Sequence, residues 1–198
     1  HKVKIVFSFG ASTRASVCAE AMVALRGVTE EFPEEVIQQA DEIANAPIPK
    51  EAYETRLDLR STPIFTIDSA HSKDLDDAVS LEKTENGYRL GVHIADVSHY
   101  VQPKTPLDEE ALRQGTSIYY ADHVIPMLPK SLSNGVCSLN PCEDRLAFSA
   151  LMELDENGEI VSYQFRKTII RSAVKGVYSE VNEILAGTAA PELLDKYK

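Results

Sequence analysis

Two pairs of alternating apolar segments, each joined by a turn that contains Asn-Gly, constrain the fold of this chain more than any other feature. The first pair spans residues 78–81 and 88–95, and the second spans residues 146–154 and 160–170. Because an Asn-Gly turn between two alternating segments is typical of a β-hairpin, the sequence predicts two antiparallel strand pairs. A short β-rich run at residues 64–67 predicts another strand before the first hairpin.

Apolar residues at helical spacing predict four helices around these strands. Their expected limits are Ser12 or Ser16 to Gly27, Pro33 to the prolines at 47 and 49, Thr105 to Gly115, and Ser179 to Gly187. The helices do not alternate regularly with the strands. The sequence therefore favours an α+β fold, with a largely antiparallel sheet and flanking helices, over a doubly wound sheet.

Two stretches fall outside this pattern. Residues 3–9 alternate like a single strand with no partner next to it in the sequence. Residues 121–145 contain several turn signals and predict a long ordered loop, which is usually functional. The chain begins at His1 without a signal sequence and stops within a helical pattern, which indicates a piece of a longer protein.

Composition excludes several classes of protein. No apolar run approaches the roughly 18 residues of a membrane span, so we expect no membrane insertion. Three cysteines, Cys18, Cys137 and Cys142, are too few for a disulfide framework and lack a Cys-x-x-Cys pair. We therefore expect a reducing, cytoplasmic setting and no disulfide-linked partner.

Four aspartates follow the strand at residues 64–67 within ten positions: Asp68, Asp74, Asp76 and Asp77. If they converge, each pair about 5 Å apart repels by roughly 3 kcal/mol at an effective dielectric constant near 20, and Lys73 alone cannot offset this. All-oxygen ligands select hard cations such as Mg²⁺ or Mn²⁺. Two such ions about 3.5–4 Å apart are a common device for cleaving phosphodiesters.

Other interpretations of these residues stay open. Acidic residues between strands are often solvated turn formers, and the glycine of a calcium-binding loop is missing. His93 and Asp96 form a conceivable metal pair, but a hydrogen-bonded structural histidine on the less apolar strand face and a turn-capping aspartate are the default. Cys137 and Cys142 are interpreted as structural residues, and Arg145 as an ion-pair partner across its loop.

The sequence also resembles the catalytic domain shared by ribonuclease II and ribonuclease R, and is closer to the ribonuclease R branch. The resemblance runs from about Phe32 to Val181. It depends on Asp58-Leu59-Arg60, Phe65-Thr66-Ile67-Asp68, Lys73-Asp74-Leu75-Asp76-Asp77-Ala78-Val79, Gly91-Val92-His93-Ile94-Ala95-Asp96-Val97-Ser98-His99-Tyr100-Val101, Gly115-Thr116-Ser117-Ile118-Tyr119, Val124-Ile125-Pro126-Met127-Leu128-Pro129, Leu132-Ser133-Asn134-Gly135, Cys137-Ser138-Leu139-Asn140-Pro141 and Asp144-Arg145-Leu146-Ala147.

This resemblance implies a Mg²⁺-dependent hydrolase, with Mn²⁺ as a substitute, that removes nucleoside 5′-monophosphates from the 3′ end of single-stranded RNA. Asp68, Asp74, Asp76 and Asp77 stand at the family's four acidic positions and are assigned as catalytic and metal-binding residues. Asp76 is expected to complete the second metal site or to orient the attacking water. Tyr119 and Tyr178 align with tyrosines that pack on or near the terminal nucleotides, although core packing is their default role.

A net charge of −11 is unusual for an RNA-binding protein, but the basic residues are unevenly distributed. Arg166, Lys167, Arg171 and Lys175 occur without an acid between residues 161 and 179, and they indicate either a phosphate track or a solvated strand face. The alternative function is a non-catalytic RNA-binding or scaffolding module that retains the fold.

The resemblance also implies a division into three parts. Residues 1–10 correspond to the last strand of a preceding OB-like cold-shock domain, residues 11–55 to a helical connector, and residues 56–198 to the N-terminal portion of the catalytic domain. Further cold-shock-like and S1-type domains, and later catalytic segments including an arginine-bearing motif, are expected elsewhere in the protein. The chain alone is therefore expected to be weakly active or inactive.

Overall fold

A seven-stranded sheet forms the centre of the computed structural model, which describes residues 4–5, 7–28, 30–120 and 123–197. The strands among these described residues, in chain order, are β1 (Leu57–Asp58), β2 (Phe65–Asp68), β3 (Asp77–Thr84), β4 (Gly87–Ala95), β5 (Ile118–Tyr120), β6 (His123–Ile125), β7 (Asp144–Leu154), β8 (Ile160–Arg171) and β9 (Val174–Val177). Strands β5 and β6 form a separate hairpin. The large sheet has the order β1-β8-β7-β4-β3-β2-β9.

The sheet is largely antiparallel, as predicted. Strand β1 runs parallel to β8 and β9 runs parallel to β2, while the other neighbours are antiparallel. Both predicted hairpins are confirmed, because β3 pairs with β4 and β7 pairs with β8. Only residues 172 and 173 separate β8 from β9, although four strands lie between them in the sheet order. The sheet must therefore curl to bring these two strands together.

Helices flank the sheet, which confirms the α+β class. They are α1 (Ala15–Leu25), α2 (Glu34–Asn45), α3 (Lys50–Thr55), α4 (Val97–Tyr100), α5 (Pro106–Gln114), α6 (Tyr178–Leu185) and α7 (Pro191–Lys196). The predicted cap of α5 is present, since Thr105 Oγ1 accepts a hydrogen bond from the Asp108 backbone N–H. At its other end, Gly115 takes the left-handed conformation with φ 73°.

The serine caps proposed for two other helices are wrong. Helix α1 begins after Arg14, and α6 after Val177, with no side-chain cap in either case. In α6 the reason is the path of the chain: the helix follows β9 without an intervening loop, so Ser179 already lies inside the first turn. The predicted first strand is also not formed, since residues 4–5 and 7–10 have no strand conformation. Val3 and Val6 of that stretch lie outside the described residues.

The predicted loop over residues 121–145 contains more regular structure than expected in its described part. The described part, 123–145, contains β6, a π-helical turn at Leu132–Val136 and the start of β7. Its apolar side chains enter two cores: Leu128, Leu132 and Cys137 pack with α2 and α5, and Leu139 packs under the sheet. The sequence did not predict this packing, because the apolar residues between the turn-forming residues have no regular period.

His93 is buried inside the curled sheet, not on an exposed face. Its Nε2 lies 3.1 Å from Ser80 Oγ and its Nδ1 lies 2.8 Å from Ser149 Oγ. Asp96 instead accepts hydrogen bonds from Arg56 and from Ser98. Both residues are therefore structural, but the turn-capping role expected for Asp96 is wrong, because its side chain makes no cap hydrogen bond to the helix that follows it.

Burial lowers the pKa of His93 to about 4. Because the unfolded chain has a histidine pKa near 6.5, it binds the proton first as the pH falls. The stabilisation that depends on neutral His93 is therefore fully present above about pH 6.5 and is lost as the pH falls toward 4. The free energy of unfolding should fall by about 2 kcal/mol between pH 7 and pH 5. We expect His93→Gln to reduce this loss in urea unfolding measured at the two pH values. An unchanged loss in the variant would contradict this assignment.

The three cysteines differ in burial. Cys137 is buried, and burial raises the pKa of its thiol to about 12, whereas Cys18 and Cys142 are exposed. All three are free thiols. Within the described ranges, no helix combines the length and the apolar character that a membrane crossing requires.

Candidate active site

The four aspartates lie at one connection between neighbouring strands. Asp68 is the last residue of β2 and Asp77 is the first residue of β3. Asp74 and Asp76 belong to the segment between them, residues 69–76, which we call the acid loop. Because β2 and β3 are antiparallel neighbours, the end of one strand and the start of the other lie side by side. The fold therefore brings these carboxylates to one edge region of the sheet.

Desolvation and mutual repulsion both raise the pKa of two of these groups. Desolvation raises the pKa of Asp68, and repulsion from Asp77 and Asp74 adds to it, while Lys175 opposes it. Desolvation also raises the pKa of Asp76, and Asp74, Asp77 and Asp68 repel it further. Because the Asp76 side chain is exposed, repulsion is the better guide to its environment. The carboxylates are thus close enough to interact without a cation between them.

The donor chemistry of this cluster fits a hard divalent cation. Asp68 Oδ2 is a buried oxygen with no hydrogen-bond partner, and Thr66 Oγ1 is in the same situation. The Thr66 hydroxyl lies close enough to Asp68 to oppose part of the rise in its pKa, but without hydrogen-bond geometry. A buried carboxylate oxygen without a partner is costly, and a cation would satisfy it.

The carboxylates are not assembled around a single point. In the part of the chain that the structure describes, no three His, Cys, Asp or Glu side chains are placed to hold one ion. Asp76 and Asp77 are exposed, so their side chains are free to change rotamer. Sharing an ion therefore requires at least a rotation of these side chains.

Tyr119 lies directly beside this cluster. Its hydroxyl donates a 2.8 Å hydrogen bond to Asp74 Oδ2, and this bond raises the pKa of the tyrosine. The residue is on strand β5, and it is 64% exposed. An exposed ring that is held at its hydroxyl is available for stacking, so core packing does not explain it.

Tyr178 lies at the same end of the sheet. It is the first residue of α6, and it is 57% exposed. The preceding residue, Val177, is the register partner of Asp68 in the parallel pair of β2 and β9. Both candidate stacking tyrosines therefore lie near the aspartates and keep exposed rings.

The candidate RNA-binding cations are either exposed on β8 or already paired with a carboxylate. Arg166 and Lys167 are exposed on β8, and Lys167 Nζ lies 4.0 Å from Asp96 Oδ2. Arg171 forms a 2.7 Å ion pair with Asp144, which also binds Arg60. Arg145 pairs with Glu143 across its loop, as predicted.

Lys175 has a role at the site that the sequence did not indicate. Its Nζ donates to the backbone oxygens of Ala70, at 3.1 Å, and Ser72, at 2.6 Å. Both acceptors belong to the acid loop. The sequence placed Lys175 only in a basic stretch, because the pairing of β9 with β2 was not predictable from local pattern.

A cavity of about 340 Å³ adjoins Asp74 on the side of the β5–β6 hairpin. Its polar lining includes His71, Lys73, Ser117, Lys130 and Asn134. Polar and cationic side chains therefore lie next to the acidic cluster on this side.

Comparison with known proteins identifies the family. A family model for the RNB domain matches residues 56–196, which is more than half of the chain. The chain therefore belongs to the RNB domain family. The resemblance found in the sequence is confirmed, since relatives with 40–48% identity carry the name ribonuclease R.

Two relatives illustrate the extent of the match. Ribonuclease R 1 of Lactococcus lactis is 47% identical over 170 residues, which are 85% of this chain and 21% of that protein. Ribonuclease R of Vibrio cholerae is 40% identical over 196 residues, which are 98% of this chain and 24% of that protein. The chain thus spans about a fifth to a quarter of the length of these curated relatives.

Solved structures share the fold. Mycoplasma genitalium RNase R in complex with ribose methylated single-stranded RNA superposes with a TM-score of 0.84 at 30% identity, over 92% of this chain and 29% of that chain. Yeast Ssd1, described as a pseudonuclease, superposes with a TM-score of 0.75 at 19% identity, over 90% of this chain and 23% of that chain. The second likeness shows the fold alone.

Proposed function

We propose that the protein containing this chain is an exoribonuclease that degrades single-stranded RNA from its 3′ end and releases nucleoside 5′-monophosphates. The observation that carries the proposal is the group of four mutually repelling aspartates, one of which has a buried oxygen without a partner. Membership of the RNB domain family and relatives named ribonuclease R support it. We also infer a reducing, cytoplasmic setting from the three free cysteines.

The aspartates would hold magnesium, with manganese as a substitute. Two bound ions would supply an activated water and stabilise the leaving oxygen of the phosphodiester. In this assignment Asp68, Asp74 and Asp77 provide metal ligands. Asp76 completes the second ligand set or accepts a hydrogen bond from the attacking water and so orients it. The hydroxyl of Tyr119 fixes Asp74 Oδ2, which leaves the other oxygen of Asp74 for the metal.

The surrounding residues would bind the RNA. Tyr119 and Tyr178 have exposed rings on which terminal bases can stack regardless of sequence, because every base has a π-face. Arg166 and Lys167 offer cationic groups for phosphates on β8. Arg171 contributes less in this proposal, because Asp144 already neutralises it.

A non-catalytic RNA-binding module is the alternative function. The same fold in a protein described as a pseudonuclease means that the fold by itself does not establish chemistry. The presence of all four aspartates and their mutual repulsion favour the enzyme, because a binding module has no need for a cluster that repels RNA phosphates.

Binding of Mn²⁺ to the purified chain tests the metal site. A ligand that binds only the folded state at ten times its Kd adds about 1.4 kcal/mol, or roughly 3–6 °C in Tm for a chain of this size. We expect this rise for the wild type and for the matched control Asp41→Asn, which neutralises one exposed aspartate of α2. Asp68→Asn should lose the rise. A wild-type Tm that does not respond to Mn²⁺ would remove the basis of the proposal.

A further inference from the structure

Ser138 holds the backbone of the acid loop on both sides of Asp74. Its hydroxyl donates a 2.8 Å hydrogen bond to the backbone oxygen of Lys73 and accepts a 3.0 Å hydrogen bond from the backbone N–H of Leu75. Asn140 Oδ1 lies 3.4 Å away and is the weaker acceptor for the same proton. The side chain therefore replaces the backbone partners that these two peptide groups would have in a strand.

The position of Ser138 is itself fixed. The residue is completely buried, and its backbone oxygen accepts a 2.7 Å hydrogen bond from Arg145 Nε. The next residue, Leu139, donates its N–H to the backbone oxygen of Leu75 at 2.9 Å, and both leucine side chains are in the core. The acid loop is thus attached to a buried and hydrogen-bonded part of the domain.

This attachment matters because the loop carries charges that repel one another. Repulsion between Asp74 and its neighbours favours a more open loop, in which the carboxylates separate. Hydrogen bonds from a buried hydroxyl oppose that opening, because breaking them leaves buried polar groups unpaired. Lys175 acts in the same direction on residues 70 and 72.

We propose that Ser138 is a positioning residue of the metal site, whose hydroxyl fixes Asp74 in place before a cation arrives. This role rests on the proposed metal-dependent function. A loop that is held in place before binding has less to lose in conformational entropy when it takes up an ion, so the hydroxyl should raise metal affinity. A purely structural serine would affect only the stability of the domain.

The test compares Ser138→Ala with Ser149→Ala in the 198-residue chain. Ser149 is an equally buried serine whose hydroxyl contacts His93 and Thr168, so its removal controls for general loss of stability. Binding of Mn²⁺ is measured from the electron paramagnetic resonance signal of the free ion. We expect Ser138→Ala to weaken binding about tenfold, and Ser149→Ala to change it by no more than about twofold.

Amide hydrogen exchange provides a second measurement that does not depend on a metal. Without the Ser138 hydroxyl, the Leu75 amide should exchange faster than in the wild type, while Ser149→Ala leaves it protected. If Ser138→Ala does not fold, Ser138→Cys takes its place, since a thiol has nearly the same shape but is a weak hydrogen-bonding group. Rescue of Mn²⁺ affinity by Ser138→Thr would support the role of the hydroxyl.

The outcomes separate this proposal from the proposed function. Wild-type binding of Mn²⁺ with unchanged affinity in Ser138→Ala would overturn the positioning role and leave the metal site intact. Equal losses of affinity in Ser138→Ala and Ser149→Ala would also overturn it, because the effect would then follow stability. No binding by the wild type would overturn the metal site itself, and the positioning role with it.

Discussion

Replacement of Asp76 by Asn in the complete protein is expected to abolish RNA cleavage while RNA binding stays nearly unchanged. The substitution keeps the shape of the side chain but removes the charge that orients water or completes the second metal site. Loss of about 4 kcal/mol of transition-state stabilisation corresponds to a roughly thousandfold lower rate. Single-turnover cleavage of a 3′-labelled single-stranded RNA measures the rate, and equilibrium binding to the same RNA measures the affinity.

The fold should tolerate this change. The backbone oxygen of Asp76 accepts a hydrogen bond from Ala95 N–H, which Asn preserves, and the side chain is exposed. Removing one charge also relieves repulsion with the other three aspartates, so stability without metal should not fall. Asp41→Asn, with the same change of charge on α2, is the matched control and should cleave like the wild type. Cleavage at the wild-type rate by Asp76→Asn would refute the assignment.

Replacement of Arg56 by Met is expected to lower the free energy of unfolding by about 3–5 kcal/mol. Arg56 follows α3 and its guanidinium lies 2.7 Å from Asp96 Oδ2, with both side chains at most 5% exposed. Loss of one partner leaves the other charge buried and uncompensated, which destabilises a fold more than replacement of both partners does. Lys167 is 4.0 Å away and exposed, so it cannot replace the buried guanidinium.

Urea unfolding with two further variants checks this explanation. Arg89→Met removes two exposed ion pairs, to Glu82 and Glu153, and should change stability little. Arg56→Met combined with Asp96→Asn should recover part of the loss, because the unpaired charge is gone. The same loss in Arg56→Met and Arg89→Met would show that burial of the pair has no special effect.

The pKa of Asp96 determines how the ion pair between Arg56 and Asp96 depends on pH. Burial alone would raise its pKa, but hydrogen bonds from Arg56 and Ser98 and attraction to Arg56 and Lys167 outweigh burial, and the pKa is lowered. A carboxyl group with a lowered pKa in the folded state stabilises the fold above its unfolded pKa of about 3.9. This stabilisation is lost as the pH falls through the lower, folded pKa.

Local pattern predicted the elements whose stabilising contacts are close in sequence. The β3–β4 and β7–β8 hairpins follow from alternation and Asn-Gly turns, and helix α5 follows from Thr105, Pro106 and Gly115. The four aspartates were identified for the same reason, since all of them lie within ten residues. Serine caps failed at α1 and α6 because Arg14 and Val177 occupy the N-cap positions there.

The contacts that hold the acid loop depend on pairing between distant parts of the chain. Lys175 reaches the acid loop only because β9 pairs with β2, more than 100 residues earlier in the chain. Ser138 reaches the backbone on both sides of Asp74 only because residues 137–139 are buried, where the sequence predicted a loop. Both contacts involve backbone groups of the acid loop, and such groups leave no signature in the sequence.

The sequence by itself determined the class of fold, the family resemblance and the identity of the acidic residues, because each depends on residue types at short spacing. The tertiary structure alone decided which groups surround those acids and hold them. It placed Tyr119 and Tyr178 beside the aspartates with exposed rings, and it buried His93 among serines rather than next to a metal. The physical reason is that burial and hydrogen bonding depend on strand order and curl, which are set by contacts between distant parts of the chain.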